Sequence, residues 1–545
     1  MTPDLILTGA VVRTADRANP TASALAIGGG RILRIGSDDD VLALATSETE
    51  VRELAGRAVY PGFVDVHNHH ALAGRTDLFE LSFSPALNLE GILDAVRSHA
   101  ETLPADAWIS GGAFPSTMED ELNSSAVRRR LDDAAGGRPV MLMEDSRHNR
   151  WVNSAALRLA GITRESIPAE GTTLLDPDDG EPTGVLLEGA GIPVQEALER
   201  GGGLTAEQHR RSSQRGIEML NAYGVTSFQD AAASAEILAS LAGLDEAGEL
   251  HAWVVTSLTV NDQIFGYDPV GEPLIELGEQ YRTEHHRPDF VKIFLDGVPP
   301  ARTALFLDPY LPDDVHGAHH HGETTMDAEE LSTALRSTSE RGLGAKVHCT
   351  GDGSARLFLD VVERLRGEGF ADIRFHIAHG QFLAPEDVER MARLRVTADI
   401  SPFIWYPGVI PDALAAVLGE ERAKRSQPNR SLIDAGGLVA GGSDWPVSES
   451  PNPLEGIQGL VTRADPLGRA SGTLWIEQAL TAEESLEVFT INAARAMGID
   501  DVTGSLEAGK SADFVVLDRD AIGGEPDRII DARVEETWFA GRRVH

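Results

Sequence analysis

The sequence predicts an α/β protein built on a (β/α)8 TIM barrel, and three observations lead there. Eight short apolar runs recur through the middle of the chain, most followed by a helix-compatible stretch, which is the alternation a parallel barrel requires. β-Rich segments lie at both ends, each too small to stand alone. Side chains of the metal-ligand type fall at the ends of the runs, on the rim where barrels of this architecture carry their active sites.

The runs cover residues 59–67, 224–230, 252–258, 290–296, 345–349, 373–379, 396–401 and 438–444. Eight is the number a closed parallel barrel needs. The connection from His69 to Tyr223 is far longer than an ordinary βα unit, so it must hold inserted structure, about 71–222, able to form a lid or subdomain. The stretches 147–159 and 176–184 lie inside it, where they can contribute to a substrate pocket. Residues 1–58 read as short strands separated by turns, with Gly28-Gly29-Gly30 between two of them, and residues 503–545 behave alike. The two terminal segments can complete one sheet domain beside a barrel spanning 59–502. A chain of 545 residues is long enough for both.

Composition narrows the function. Hydrophobic residues at 42% and charged residues at 24% are ordinary globular values. The formal charge of −39, from 86 acidic and 47 basic side chains, repels nucleic acid and anionic lipid, so the expected partner is a small-molecule substrate, with no nucleic acid and no membrane. A homo-oligomer is compatible with these numbers. One cysteine, Cys349, allows no intrachain disulfide, and the first ten residues lack a basic n-region, so a cytoplasmic location is expected.

The chemistry is carried by position along the runs. His67 and His69 close the first run in Pro61-Gly62-Phe63-Val64-Asp65-Val66-His67-Asn68-His69, and strand alternation points both imidazoles to one side, about 6–7 Å apart along the chain. Lys292 lies in Val291-Lys292-Ile293-Phe294, flanked by apolar residues where an ammonium is costly unless paired or chemically changed; the chain has only four lysines. A deprotonated lysine can take up carbon dioxide as a carbamate and bridge two metals. His348 ends the fifth run, His379 the sixth and Asp444 the eighth, in Gly441-Gly442-Ser443-Asp444-Trp445-Pro446. Any one of these could be a satisfied structural residue, but six at strand ends converge on one rim. Imidazole and carboxylate ligands suit a divalent metal, zinc first, with one or two ions per chain. Asp444 is the expected general base.

Other features carry less. The stretch 504–511 matches the phosphate-loop spacing G-x-x-x-x-G-K-[ST], yet a helix-like stretch precedes it and a strand follows, so a turn is expected there. His316, His319, His320 and His321 read as a surface tract, and Cys349 as a packed small hydrophobe. Arg147, His148, Trp405 and Trp445 are pocket candidates by position, with packing roles equally in view.

The order His-x-His, Lys, His, His, Asp, with Pro61-Gly62-Phe63-Val64-Asp65 ahead of it, resembles the amidohydrolase superfamily over nearly the whole chain. Val291 to Gly297 leading to Arg302-Thr303-Ala304, His348 with Gly351-Asp352-Gly353, and Ser443 to Val447 with Asn452-Pro453-Leu454 look like the branch containing the N-substituted formamide deformylases. The resemblance implies a composite β-sandwich from both termini. It also implies His67, His69 and Asp444 on a more buried metal, His348 and His379 on a more exposed one, and Lys292 as a carboxylated bridge. Trp445, His148, Asp296 and Arg302 are the substrate-binding candidates. The sequence departs from the branch at Ala378, where a glutamate is common, and at Cys349-Thr350. The expected activity is hydrolysis of a C–N bond in a small amide, formamide or lactam-like molecule. A metal-dependent decarboxylase or isomerase on the same rim, and an inactive scaffold, are the alternatives.

Overall fold

The computed structural model describes residues 2–545 apart from Pro85, Ser146, Gly202 and Gln263. Eight parallel strands form one sheet in chain order: β1 (Phe63–Asn68), β2 (Val225–Ala233), β3 (Trp253–Thr259), β4 (His286–Phe294), β5 (Gly344–Cys349), β6 (Phe375–His379), β7 (Val396–Ile400) and β8 (Val439–Gly441). The chain just after β8 closes the sheet onto β1. Asp444 N–H donates to the His67 carbonyl at 2.7 Å and His69 N–H to the Trp445 carbonyl at 2.8 Å. Asp65 locks the same seam, accepting from Ser443 Oγ at 2.6 Å and Ser443 N at 3.0 Å.

Alternation along the strands decides what faces the barrel axis. In β4, Val291 and Ile293 join the main apolar core, which also holds Phe358, Leu359, Val362 and Leu365 of the helix Asp352–Gly367. Lys292 sits between them on the other face, in register with Lys346 of β5. On the first connection, the helices His70–Phe79 and Ala206–Ala222 pack so closely that only glycine fits at two points. A Cβ on Gly74 would lie 1.9 Å from the Ser212 carbonyl oxygen, and one on Gly216 2.1 Å from that of His70.

The termini build two further sheets over a shared core. One has four strands, including Leu5–Thr8 and Ala24–Gly28; the other has six, including Val11–Arg13, Ala58–Pro61, Phe514–Leu517 and Val534–Phe539. Leu5, Leu7, Val12, Leu25, Val59, Phe514 and Val516 fill the space between them. The run 59–67 is therefore two strands. Ala58–Pro61 pairs antiparallel with Phe514–Leu517 in the six-stranded sheet, and the chain turns into the barrel at Gly62, where a Cβ would meet Thr226 Oγ1 at 2.0 Å. The run 290–296 ends its strand at Phe294, which leaves Asp296 in the loop beyond. Residues 504–511 are turns leading to Phe514–Leu517, and Lys510 Nζ is engaged by Ser505 Oγ at 2.6 Å and Glu507 at 2.9 Å.

The long first connection is a subdomain with its own five-stranded sheet, in the order Thr172–Leu175, Pro182–Leu187, Arg150–Val152, Val140–Glu144, Ile109–Phe114. Helices Leu89–Ala100 and Ser125–Ala135 cover it, burying Ile92, Val96, Leu131, Leu142 and Trp151. Among the described residues, no helix is long and apolar enough to cross a membrane.

Candidate metal centre

Three buried side chains from the seam of the barrel, His67, His69 and Asp444, form a group that could hold a metal ion. His67 Nε2 lies 3.5 Å and His69 Nε2 3.6 Å from Asp444 Oδ1, and the candidate ligand atoms of all three lie within 4.8 Å of one another. Ligands about 2.0–2.1 Å from one tetrahedral zinc ion lie ~3.4 Å apart, so the spacing fits a single ion. His379, at the end of β6, adds Nδ1 at 3.8 Å from Asp444 Oδ2. Among the described residues, His67 Nε2 and His379 Nδ1 are buried without a hydrogen-bond partner, a costly state for two imidazole nitrogens facing one carboxylate. His379 (φ 69°) and Asp444 (φ 57°) both hold left-handed backbone, a strain of about 1–3 kcal/mol each that recurs at functional sites. Burial pulls His67, His348 and His379 well below the usual imidazole pKa, so each stays neutral and able to ligate near pH 7.

His348 is brought beside His379, with ring centroids 4.7 Å apart, while its Nε2 lies 3.1 Å from the Gly297 carbonyl oxygen. Lys292 is buried, its Nζ 4.7 Å from the Phe294 ring centroid, and among the described residues no carboxylate lies within ion-pair distance of it. Burial, reinforced by Lys346, pulls its ammonium down to about 8.

The four substrate-binding candidates divide. His148 comes from the inserted subdomain and reaches the centre, its ring 5.7 Å from that of His348 and its Nδ1 2.9 Å from Glu188 Oε2. Burial opposes its charged form, yet Glu188 outweighs that and raises the His148 pKa. Trp445 packs into the main core and acts here through its backbone. The Asp296 carboxylate is taken up by Ser354 Oγ at 2.6 Å, by the N–H groups of Thr350 and Gly351 at 3.1 Å and by that of Leu305 at 3.2 Å. It organises the loop after β5. Arg302 is engaged elsewhere, bonding the Leu311 carbonyl at 2.7 Å and Asp313 at 3.0 Å. Of the remaining pocket candidates, Trp405 is fully buried beneath the Arg463 guanidinium, 3.9 Å from its ring centroid.

The layer behind these candidate ligands escapes sequence reasoning. Asp399 of β7 accepts from His67 Nδ1 at 2.9 Å and from the Lys346 ammonium, which also donates to the Val66 carbonyl at 2.8 Å. The carboxylate fixes His67 so that Nε2 faces Asp444, the usual arrangement behind a metal-ligating imidazole. The available signals are a second lysine two residues before His348 and an aspartate inside the apolar run Val396 to Ile400. Glu188 is missed as well, and no local pattern marks it.

The comparisons with known proteins agree with this architecture. The amidohydrolase family model matches residues 50–545. The chain is 28% identical to the N-substituted formamide deformylase of Arthrobacter pascens over 99% of this chain and 97% of that protein. It is 27% identical to the putative amidohydrolase YtcJ of Bacillus subtilis (strain 168), covering 91% of each. An uncharacterized metal-dependent hydrolase from Pyrococcus horikoshii OT3 superposes with a TM-score of 0.75 at 23% identity, over 96% of this chain and 99% of that one. A match across the barrel and its seam, together with His67, His69 and Asp444 gathered at that seam, establishes that the chain belongs to the amidohydrolase family.

Proposed function

We propose that this protein hydrolyses the C–N bond of a small amide, with N-substituted formamides as the first class to test. The observation that carries the reading is the spacing of three buried side chains, His67 Nε2 and His69 Nε2 lying 3.5 and 3.6 Å from Asp444 Oδ1, with the His67 nitrogen unpaired among the described residues. His67, His69 and Asp444 would hold one divalent ion, zinc by the chemistry of the donors; His348 and His379 would hold a second, bridged by Lys292 as a carbamate. Such an ion supplies Lewis acidity, which activates water and polarises a carbonyl.

The residues of this chain do the remaining work. Asp444 takes the proton from the attacking water as its oxygen bonds to the carbonyl carbon. It then gives that proton to the nitrogen, which leaves as the amine when the C–N bond breaks, so acid and amine are the products. Asp399 keeps the His67 ring in one tautomer. His148, steadied by Glu188 and beside His348, would hydrogen-bond the substrate. The lowered pKa of Lys292 enlarges the uncharged fraction that can react with carbon dioxide.

The test pairs metal analysis of wild type and Lys292→Ala with an amine-release screen over N-substituted formamides and acyl amides. Near-stoichiometric metal with turnover that Lys292→Ala abolishes supports the reading. A protein that takes up no metal under any reconstitution refutes it.

A further inference from the structure

Resting on that reading, we infer that Phe265 is a specificity-determining residue, selecting substrates that carry a flat, apolar group on the scissile nitrogen. The Phe265 ring is half-buried and its centroid lies 5.6 Å from that of His69, tilted 53°, so a partly exposed ring stands against a proposed ligand. Phe294, itself buried, continues the row edge-on at 6.0 Å and lies 6.0 Å from the His348 ring. One aromatic ridge therefore runs from His69 to His348, along the ligand cluster.

The ridge is built rather than incidental. Asp262 gathers the loop by accepting from the N–H groups of Ile264 at 2.8 Å, Phe265 at 2.7 Å and Tyr267 at 2.5 Å. Asn261 ties the loop to β4 through a reciprocal pair with the Phe294 backbone, 2.9 Å in each direction. From the inserted subdomain, the fully buried Arg150 donates to the Ile264 carbonyl. Ile264 packs beneath with Ala232 and Phe294, and Tyr267 stacks on Phe265 at 5.0 Å and 18°. With its backbone capped and its neighbour stacked against it, Phe265 loses little freedom on binding a ring, the condition under which an aromatic wall discriminates.

The experiment is calorimetric binding of N-methyl-N-hydroxyformamide and N-phenyl-N-hydroxyformamide to the metal-reconstituted protein, Phe265→Leu and Phe265→Ala, with metal content measured for each. The two probes share a metal-chelating head and differ only in methyl against phenyl. Wild type is expected to prefer the phenyl probe by at least ~10-fold; the preference should shrink in Phe265→Leu, which stays apolar but loses the flat face, and fall to ~3-fold or less in Phe265→Ala. A metal-replete wild type without preference, or a preference that survives in both metal-replete variants, overturns the inference while the proposed hydrolysis stands. A wild type that takes up no metal overturns both.

Discussion

Two buried carboxylates, one at the foot of the barrel and one at its rim, live in contrasting surroundings. At the foot, Asp513 accepts from Trp253 Nε1 at 3.0 Å, Ser511 Oγ at 2.7 Å and Ala540 N–H at 2.8 Å. At the rim, Asp444 faces three imidazoles at 3.5–3.8 Å, two of which present buried nitrogens with no hydrogen-bond partner among the described residues. A carboxylate with its partners complete ties a barrel strand to the terminal sheets; one facing incomplete partners keeps capacity for a further one.

The comparison breaks most decisively at the rim. Asp444→Asn should lower turnover of a formamide by on the order of 10^3-fold while a hydroxamate still binds, as steady-state kinetics and calorimetry would show; turnover within a few-fold of wild type would remove Asp444 as the base. The paired lysines come next. Lys346→Met leaves Asp399 charged and buried, and should cost about 3–5 kcal/mol in chemical denaturation of the metal-free protein. Lys292→Met removes no ion pair and should leave that stability nearly unchanged while lowering metal content. Equal losses in the two would erase the distinction between them. Asp399→Asn should weaken metal affinity by about 10–100-fold in a chelator competition, because His67 loses the partner that orients it. Asp513→Ala strands three donors at the foot and should cost about 1–3 kcal/mol with kcat per bound metal unchanged.

The smallest effect is a pH dependence. Burial raises the Asp296 carboxyl to about 7, above its value in the unfolded chain. Its contribution to stability is therefore fully present below about pH 4 and is lost as pH rises toward and through 7. Denaturation of metal-free wild type and Asp296→Asn at pH 5 and pH 8 should show a steeper decline in wild type, and parallel behaviour would refute the shift.

Much of this rim is legible in the sequence because both signals are local. Alternation puts His67 and His69 on one side of a strand, and the ends of apolar runs mark where β5, β6 and the chain after β8 deliver His348, His379 and Asp444. What stays hidden is contact across the barrel. Lys346, Asp399 and His67 come from β5, β7 and β1 and meet only when the sheet closes. Glu188 and Arg150 arrive from a subdomain whose docking no local spacing encodes. The internal partners of Asp296 and Arg302 are hidden for a related reason: the loop that engages each charge takes shape only as it folds round it.

The pairing of Ala58–Pro61 with Phe514–Leu517 sets an order on biosynthesis. The strand leading into the barrel stays without this neighbour while the ribosome makes everything between them, including the inserted subdomain. Trp253 likewise waits for Asp513, and Asp513 for Ala540. The nascent chain thus carries an open sheet edge until its closing segment emerges, and early release would leave that edge free to pair with another chain.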